Sequence, residues 1–126
     1  MITRTSVIVL FLFALIIGCT IQTHFPPPNA QEVIKYNKVL GESAAQANDL
    51  CQRQYGVRCI NSMYVAGSML VVDYTEEALR FSLKSKEEQI DGSINEIRKD
   101  KRELNWLGIY KIRVKIDGER FKDYEI

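Results

Sequence analysis

Three cysteines and a single histidine are the residues of this chain best able to form covalent bonds or bind a metal. His24 has no cysteine, aspartate or glutamate at ligand spacing, and it offers no Ser-His or Cys-His pair for catalysis. Cys51 and Cys59 lack the Cys-x-x-Cys spacing that activates a redox thiol. These residue types therefore predict no metal, no cofactor and no nucleophilic catalysis.

The first cysteine, Cys19, ends a short apolar segment. Arg4 precedes an uninterrupted apolar run from Val7 to Ile17. That run is far shorter than the roughly 20 residues of a membrane-spanning helix, but it suits a signal peptide. Its end, Ile16-Ile17-Gly18-Cys19, resembles the lipobox of bacterial lipoproteins, in which an aliphatic residue and then a small residue precede an invariant cysteine. The resemblance covers residues 1–19 and identifies no family for the rest of the chain.

This resemblance implies a lipid anchor on Cys19. In that family a peptidase cleaves before the cysteine, here between Gly18 and Cys19, and the thiol and the new amino group are acylated. Several acyl chains hold a protein firmly, because each buried methylene contributes about 0.8 kcal/mol. Thr20 is not the aspartate that favours inner-membrane retention, so the resemblance implies an outer membrane site facing the periplasm. The alternatives are an ordinary secreted protein and an uncleaved anchor.

The remaining chain divides into a tether and a domain. Residues 1–18 are the expected signal peptide, and residues 19–28 are a lipidated tether stiffened by three consecutive prolines. Residues 29–126 have the length of one domain. With Cys19 acylated, Cys51 and Cys59 form an even pair in an oxidising compartment, which predicts a disulfide. Two buried free thiols are the alternative.

The pattern of apolar residues predicts an α+β fold. A helix over residues 30–55 is expected after the Asn29 cap, followed by a long strand or a hairpin turning at Gly67. Alternation at Leu79, Phe81 and Leu83 favours a strand over a helix capped by Thr75. The order is then helix, two to three strands, helix and hairpin, which predicts one small antiparallel sheet packed against two amphipathic helices.

The last two of these elements have clear signals. Ser85 and Glu88 form a capping box before a helix whose apolar residues extend to Leu104. The final hairpin turns at Asp117-Gly118 and returns to Tyr124.

Charge excludes one class of partner. Of the 17 basic and 16 acidic side chains, the signal peptide removes only Arg4, so the mature chain is neutral. A nucleic-acid-binding protein would carry a basic excess. The paired carboxylates at 76–77 and 87–88 lie at a turn and at the start of a helix. Acidic side chains at such positions stabilise the N-terminus of a helix.

One row of residues could bind a partner. Lys111, Arg113 and Lys115 alternate along the clearest strand, so they share one face. They could contact an anionic surface, or they could simply be a solvated face that discourages aggregation. Trp106 could be a core residue or a partner contact.

Together these patterns predict a non-enzymatic lipoprotein that acts as an accessory or binding component of a cell-envelope assembly of the secretion or conjugation type. This layout is similar to that of secretion-system pilotins. Its expected partners are membrane lipid, through Cys19, and a protein of the envelope. The alternative is a periplasmic inhibitor or immunity lipoprotein against a toxin or a wall-degrading enzyme. An enzyme acting on wall or lipid would instead need a cleft holding two carboxylates.

Overall fold

The computed structural model describes residues 30–126, with the side chain of Ala30 excepted. The predicted signal peptide, lipid attachment at Cys19, tether and Asn29 cap lie outside the described residues. The described elements are α1 (Ala30–Tyr55), β1 (Ile60–Ala66), β2 (Met69–Tyr74), α2 (Glu76–Leu79), α3 (Lys86–Arg98), α4 (Lys101–Trp106), β3 (Lys111–Ile116) and β4 (Glu119–Glu125).

Helix α1 begins and ends where the sequence predicts. Its buried stripe consists of Tyr36, Leu40, Ala44, Ala47 and Cys51, and Val33 near its start is only half-buried. Gly56 ends the helix at a φ of 72°, a left-handed conformation that favours glycine.

Two tight hairpins frame the sheet, and both turns are confirmed. Gly67 turns β1 into β2, with Ala66 opposite Met69. Asp117 and Gly118 both have positive φ, 48° and 85°, as a two-residue turn between twisted strands requires.

The prediction of a strand through Leu79, Phe81 and Leu83 is wrong. Thr75 caps α2 instead, and its hydroxyl accepts a hydrogen bond from the Ala78 backbone at 3.3 Å. The helix is one turn long, and its buried residues are Ala78 and Leu79. Phe81 and Leu83 then lie in an exposed loop, because alternation alone cannot form a strand without a neighbouring strand to pair with.

The predicted second helix is divided in two. The capping box of Ser85 and Glu88 starts α3 as expected, but the helix ends at Arg98. A tight bond from the Asp100 amide to the Ile97 carbonyl closes it, at 3.0 Å. Helix α4 then begins at Lys101 and buries Leu104 to 2% exposure.

The sheet confirms the α+β class but is mixed, so the prediction of an antiparallel sheet is wrong. The strand order is β1-β2-β3-β4; both hairpins are antiparallel, whereas β2 and β3 are parallel. Helices α2, α3 and α4 connect β2 to β3, and a helical crossover returns the chain to the same end of the sheet. The second hairpin therefore enters in the same direction as β2.

The two faces of the sheet differ. The inner face carries Leu70, Val72, Ile112 and Val114, all at most 1% exposed, and packs into one core with α1, α3 and α4. The outer face carries the alternate residues of each strand, and none of the described helices buries it in that core.

Cys51 and Cys59 lie at disulfide distance at one end of the core. Their Cα atoms are 6.1 Å apart, and each residue is 1% exposed. This pair connects the last turn of α1 to the start of β1. Within residues 30–126, none of the helices is long and apolar enough to cross a membrane.

Candidate binding surface

The structure brings three of the four predicted binding residues together. Lys111, Arg113 and Lys115 project from the outer face of β3, on the side opposite the buried Ile112 and Val114. Trp106 does not join them, since it is partly buried against the core on the helical side. Its partial burial leaves both interpretations of Trp106, core residue and partner contact, as predictions.

Register arranges the outer face in three rows that cross all four strands. The central row runs Tyr64, Val71, Arg113 and Asp123. One flanking row is Ser62, Asp73, Lys115 and Arg120, and the other is Ala66, Met69, Lys111 and Glu125. The half formed by β1 and β2 is thus mostly uncharged, and the half formed by β3 and β4 is charged.

Asp123 is the centre of the charged half. Arg113 donates to both of its oxygens, from Nε at 2.9 Å and from a terminal nitrogen at 3.1 Å. Arg120 contacts the same carboxylate at 2.8 Å and Lys111 at 3.7 Å. The hydrogen bonds from Arg113 lower the pKa of Asp123 and raise that of Arg113. One carboxylate therefore orders three cations, and Lys115 forms no ion pair within residues 30–126.

The uncharged half includes partly exposed apolar groups. Tyr64 is 37% exposed, whereas Val71 beside it is only 2% exposed. Val71 lies between Tyr64 and Arg113 in its row. The result is a surface with an aromatic residue at one side and an ordered cationic cluster at the other.

A polar network holds the two hairpins in register at one end of the sheet. Asp73 accepts from the Gly118 amide at 3.1 Å and from the Asn61 side chain at 3.3 Å. Asn61 also donates to Asp117 at 3.1 Å. Because β2 contacts the turn between β3 and β4 in this way, the outer face does not depend on strand pairing alone.

A shallow polar groove of about 440 Å³ lies between α3 and β4. Tyr124 lies at its base and donates a hydrogen bond to Asp91. Arg98 and Lys122 lie over the tyrosine ring, 5.3 and 5.1 Å from its centre. Burial, and then the bond to Asp91, raise the pKa of Tyr124, so the phenol stays protonated and donates.

Two neighbouring carboxyl groups, those of Asp100 and Glu103, lie at the junction of α3 and α4. Burial, followed by a hydrogen bond with Glu103 and that residue's charge, raises the pKa of Asp100 to about 7. The charge of Asp100 in turn raises the pKa of the buried Tyr36, after the larger effect of burial.

The described residues contain no group of three or more histidine, cysteine or acidic side chains that could hold a metal ion. Phe81 stacks on Tyr55 with ring centres 4.9 Å apart, and Leu83 in the same loop is 97% exposed.

Comparison of the chain with protein-family models, curated proteins and solved structures finds no match.

Sequence reasoning missed Asp123 and the groove. The alternation of β4 places Asp123 on the same face as Glu125, but which residue of β3 lies opposite Asp123 depends on the strand register. The signal that could have found it is the Asp117-Gly118 turn, since a two-residue turn sets Ile116 opposite Glu119. The bulge after Val114 then shifts the register by one residue, and the sequence does not show that bulge.

Proposed function

We propose that this chain is a lipid-anchored, non-enzymatic binding subunit of a cell-envelope assembly, tethered at the periplasmic face of the outer membrane. The lipobox-like segment ending in Gly18-Cys19 supports the anchor. The proline-rich tether supports a domain held a short distance from the membrane.

The observation that carries the proposal is the outer face of the sheet. It combines the exposed Tyr64 with cations ordered around Asp123. Aromatic and arginine side chains are the usual anchors of protein interfaces, and ordered side chains lose less entropy on binding. Such a surface fits an envelope protein that presents an apolar patch beside acidic groups.

Intact mass and cross-linking of the membrane-extracted protein test this proposal. The expected mass is that of residues 19–126 plus acyl chains, with a component of a secretion or conjugation assembly cross-linked to it. An unacylated mass would contradict the anchor. A cross-linked toxin or hydrolase would instead favour the inhibitor or immunity function.

A matched pair of variants locates the contact. Lys115→Glu reverses a charge on the outer face, and Lys38→Glu reverses an exposed charge on α1. Lys115→Glu is expected to lower the cross-linking yield by about fivefold, because a charge near an interface contributes about 1 kcal/mol. Lys38→Glu should leave the yield unchanged; equal effects would exclude the outer face as the contact.

A further inference from the structure

The edges of the sheet are unequally covered. At the β1 edge, Asn37 of α1 accepts a hydrogen bond from the Val65 amide at 2.7 Å. Asn48, further along the same helix, accepts from the Cys59 and Ile60 amides at 2.9 and 2.8 Å. Helix α1 therefore occupies backbone groups that an incoming strand would need.

The β4 edge is open by comparison. The Ile126 amide bonds to the Tyr110 carbonyl at 3.2 Å, which fixes the alternation of the ladder. The backbone groups of Asp123 and Glu125 consequently point away from β3. In the described part of the chain, the hydrogen bond that reaches these groups comes from Arg98, whose Nε lies 2.9 Å from the Glu125 carbonyl oxygen.

The groove lies directly beside this open edge. A strand added to β4 would place alternate side chains over the groove, next to Tyr124. It would also displace Arg98 from the Glu125 carbonyl, leaving the guanidinium with Asn95, at 3.3 Å, and the tyrosine ring. An acidic side chain at that point would replace the lost acceptor with a stronger, charge-assisted one.

We propose that β4 binds an extended segment of a protein partner as a fifth strand, and that an acidic side chain of this segment pairs with Arg98 in the groove. The backbone of Asp123 and Glu125 supplies the ladder. This inference rests on the proposed function only in taking the occupant to be a protein partner.

A second copy of this chain fits the edge poorly. A two-fold axis keeps each residue on its own face of the sheet, so the central registers pair Lys122 with Lys122, Asp123 with Asp123, or Asp123 with Glu125. Like charges directly opposite each other destabilise a strand pair. The edge therefore favours a different sequence.

The test begins with random heptapeptides displayed on phage and selected on the full mature chain in detergent, because β4 is seven residues long. An enriched peptide is then synthesised, together with a form carrying glutamine for its acidic residue. We expect the peptide to slow exchange of the Asp123 and Glu125 amides, and the glutamine form to bind about tenfold more weakly.

A matched pair of protein variants isolates the backbone. Glu125→Pro removes the outward N–H but no bond to β3, whereas Glu125→Thr makes a comparable side-chain change and keeps the N–H. Glu125→Pro should weaken peptide binding by about tenfold, and Glu125→Thr should change it little. If Glu125→Pro fails to fold, a peptide N-methylated at its ladder amides makes the same test on the unaltered protein.

Several results would overturn strand addition at β4. These are no enrichment, slowed exchange elsewhere such as the 80–85 loop, equal binding by both Glu125 variants, or a dimer that Glu125→Pro dissociates. The selection needs neither acylation nor a native partner. Failure of the selection would contradict strand addition but not the proposed function. An unacylated mass of the native protein would contradict the anchor but not the peptide result.

Discussion

The two hairpins of the sheet are attached to the rest of the protein in different ways. The first is fixed along its outer edge by side chains of α1 and joined to that helix near Cys51 and Cys59. The second is ordered by ion pairs at or near the surface, and Arg98 contacts its outer edge at one carbonyl. Buried hydrogen bonds are costly to break, whereas surface ion pairs can be exchanged for a partner's groups at little cost. We therefore expect the attachments of the first hairpin to contribute more to stability than the ion pairs of the second, whose outer edge is the one proposed to bind a partner.

Asn48→Ala should have the largest effect, because it breaks the attachment of the first hairpin. The change removes hydrogen bonds to the Cys59 and Ile60 amides and to the Ile60 carbonyl, whose residues are at most 1% exposed. We expect the free energy of unfolding to fall by about 4 kcal/mol, since each shielded backbone group left unpaired costs about 1–3 kcal/mol. Urea unfolding measures this, with the exposed Gln46→Ala on the same helix as control. A loss below about 1 kcal/mol would mean that α1 does not fix this edge.

Replacing both Cys51 and Cys59 with alanine tests the other attachment. A disulfide closing so short a loop contributes about 2–3 kcal/mol in the chain-entropy model. The expected loss should also be obtained by adding a reductant to the unaltered protein. If reductant left the unfolding midpoint unchanged, the pair would be two buried thiols and not a disulfide.

Asp123→Asn disturbs the second hairpin and should cost less. It leaves Arg113, Arg120 and Lys111 close together without their shared carboxylate, whose side chain is 16% exposed. We expect a loss of about 1–2 kcal/mol at pH 7. Because the folded pKa of Asp123 is lowered, its contribution is present above the unfolded value and disappears as pH falls through the folded pKa.

Unfolding by urea at pH 7 and pH 3 checks this pH dependence. The difference between Asp123→Asn and the unaltered protein should shrink at the lower pH. Glu119→Gln, an exposed change on the same strand, serves as the control. A difference independent of pH would show that the amide disturbs packing rather than charge.

Local signals made the first level of this structure predictable, and long-range register did not. The limits of α1, the Ser85 capping box and the two turns each depend on residues a few positions apart. The parallel contact of Val71 with Arg113, and the Arg113–Asp123 pair across a bulge, depend on where separate segments meet. The strand expected at Leu79–Leu83 failed for the same reason, since none of the strands within residues 30–126 pairs with it. The predicted basic row was therefore found, but not the aspartate that orders it.

Asp100→Asn has the smallest expected effect and the opposite sign. Asp100 lies at the junction of α3 and α4, near Glu103 and near Tyr36 of α1, the helix that fixes the first hairpin. Its folded pKa of about 7 exceeds the unfolded value of 3.8. The folded state therefore binds more protons between these values, and stability contributed below the unfolded pKa is lost as pH rises through about 7. Asparagine cannot ionise, so we expect it to stabilise the protein by about 1 kcal/mol at pH 8, after allowing for partial solvent screening, and to do little at pH 4. Thermal unfolding at both pH values, with the exposed Glu42→Gln of α1 as control, measures the difference. A stabilisation that is equal at both pH values would mean that the substitution acts through packing. A destabilisation at pH 8 would mean that the ionised carboxylate of Asp100 holds α1 to the α3–α4 junction. In that case α1, which fixes the first hairpin, would itself be fixed by a charge.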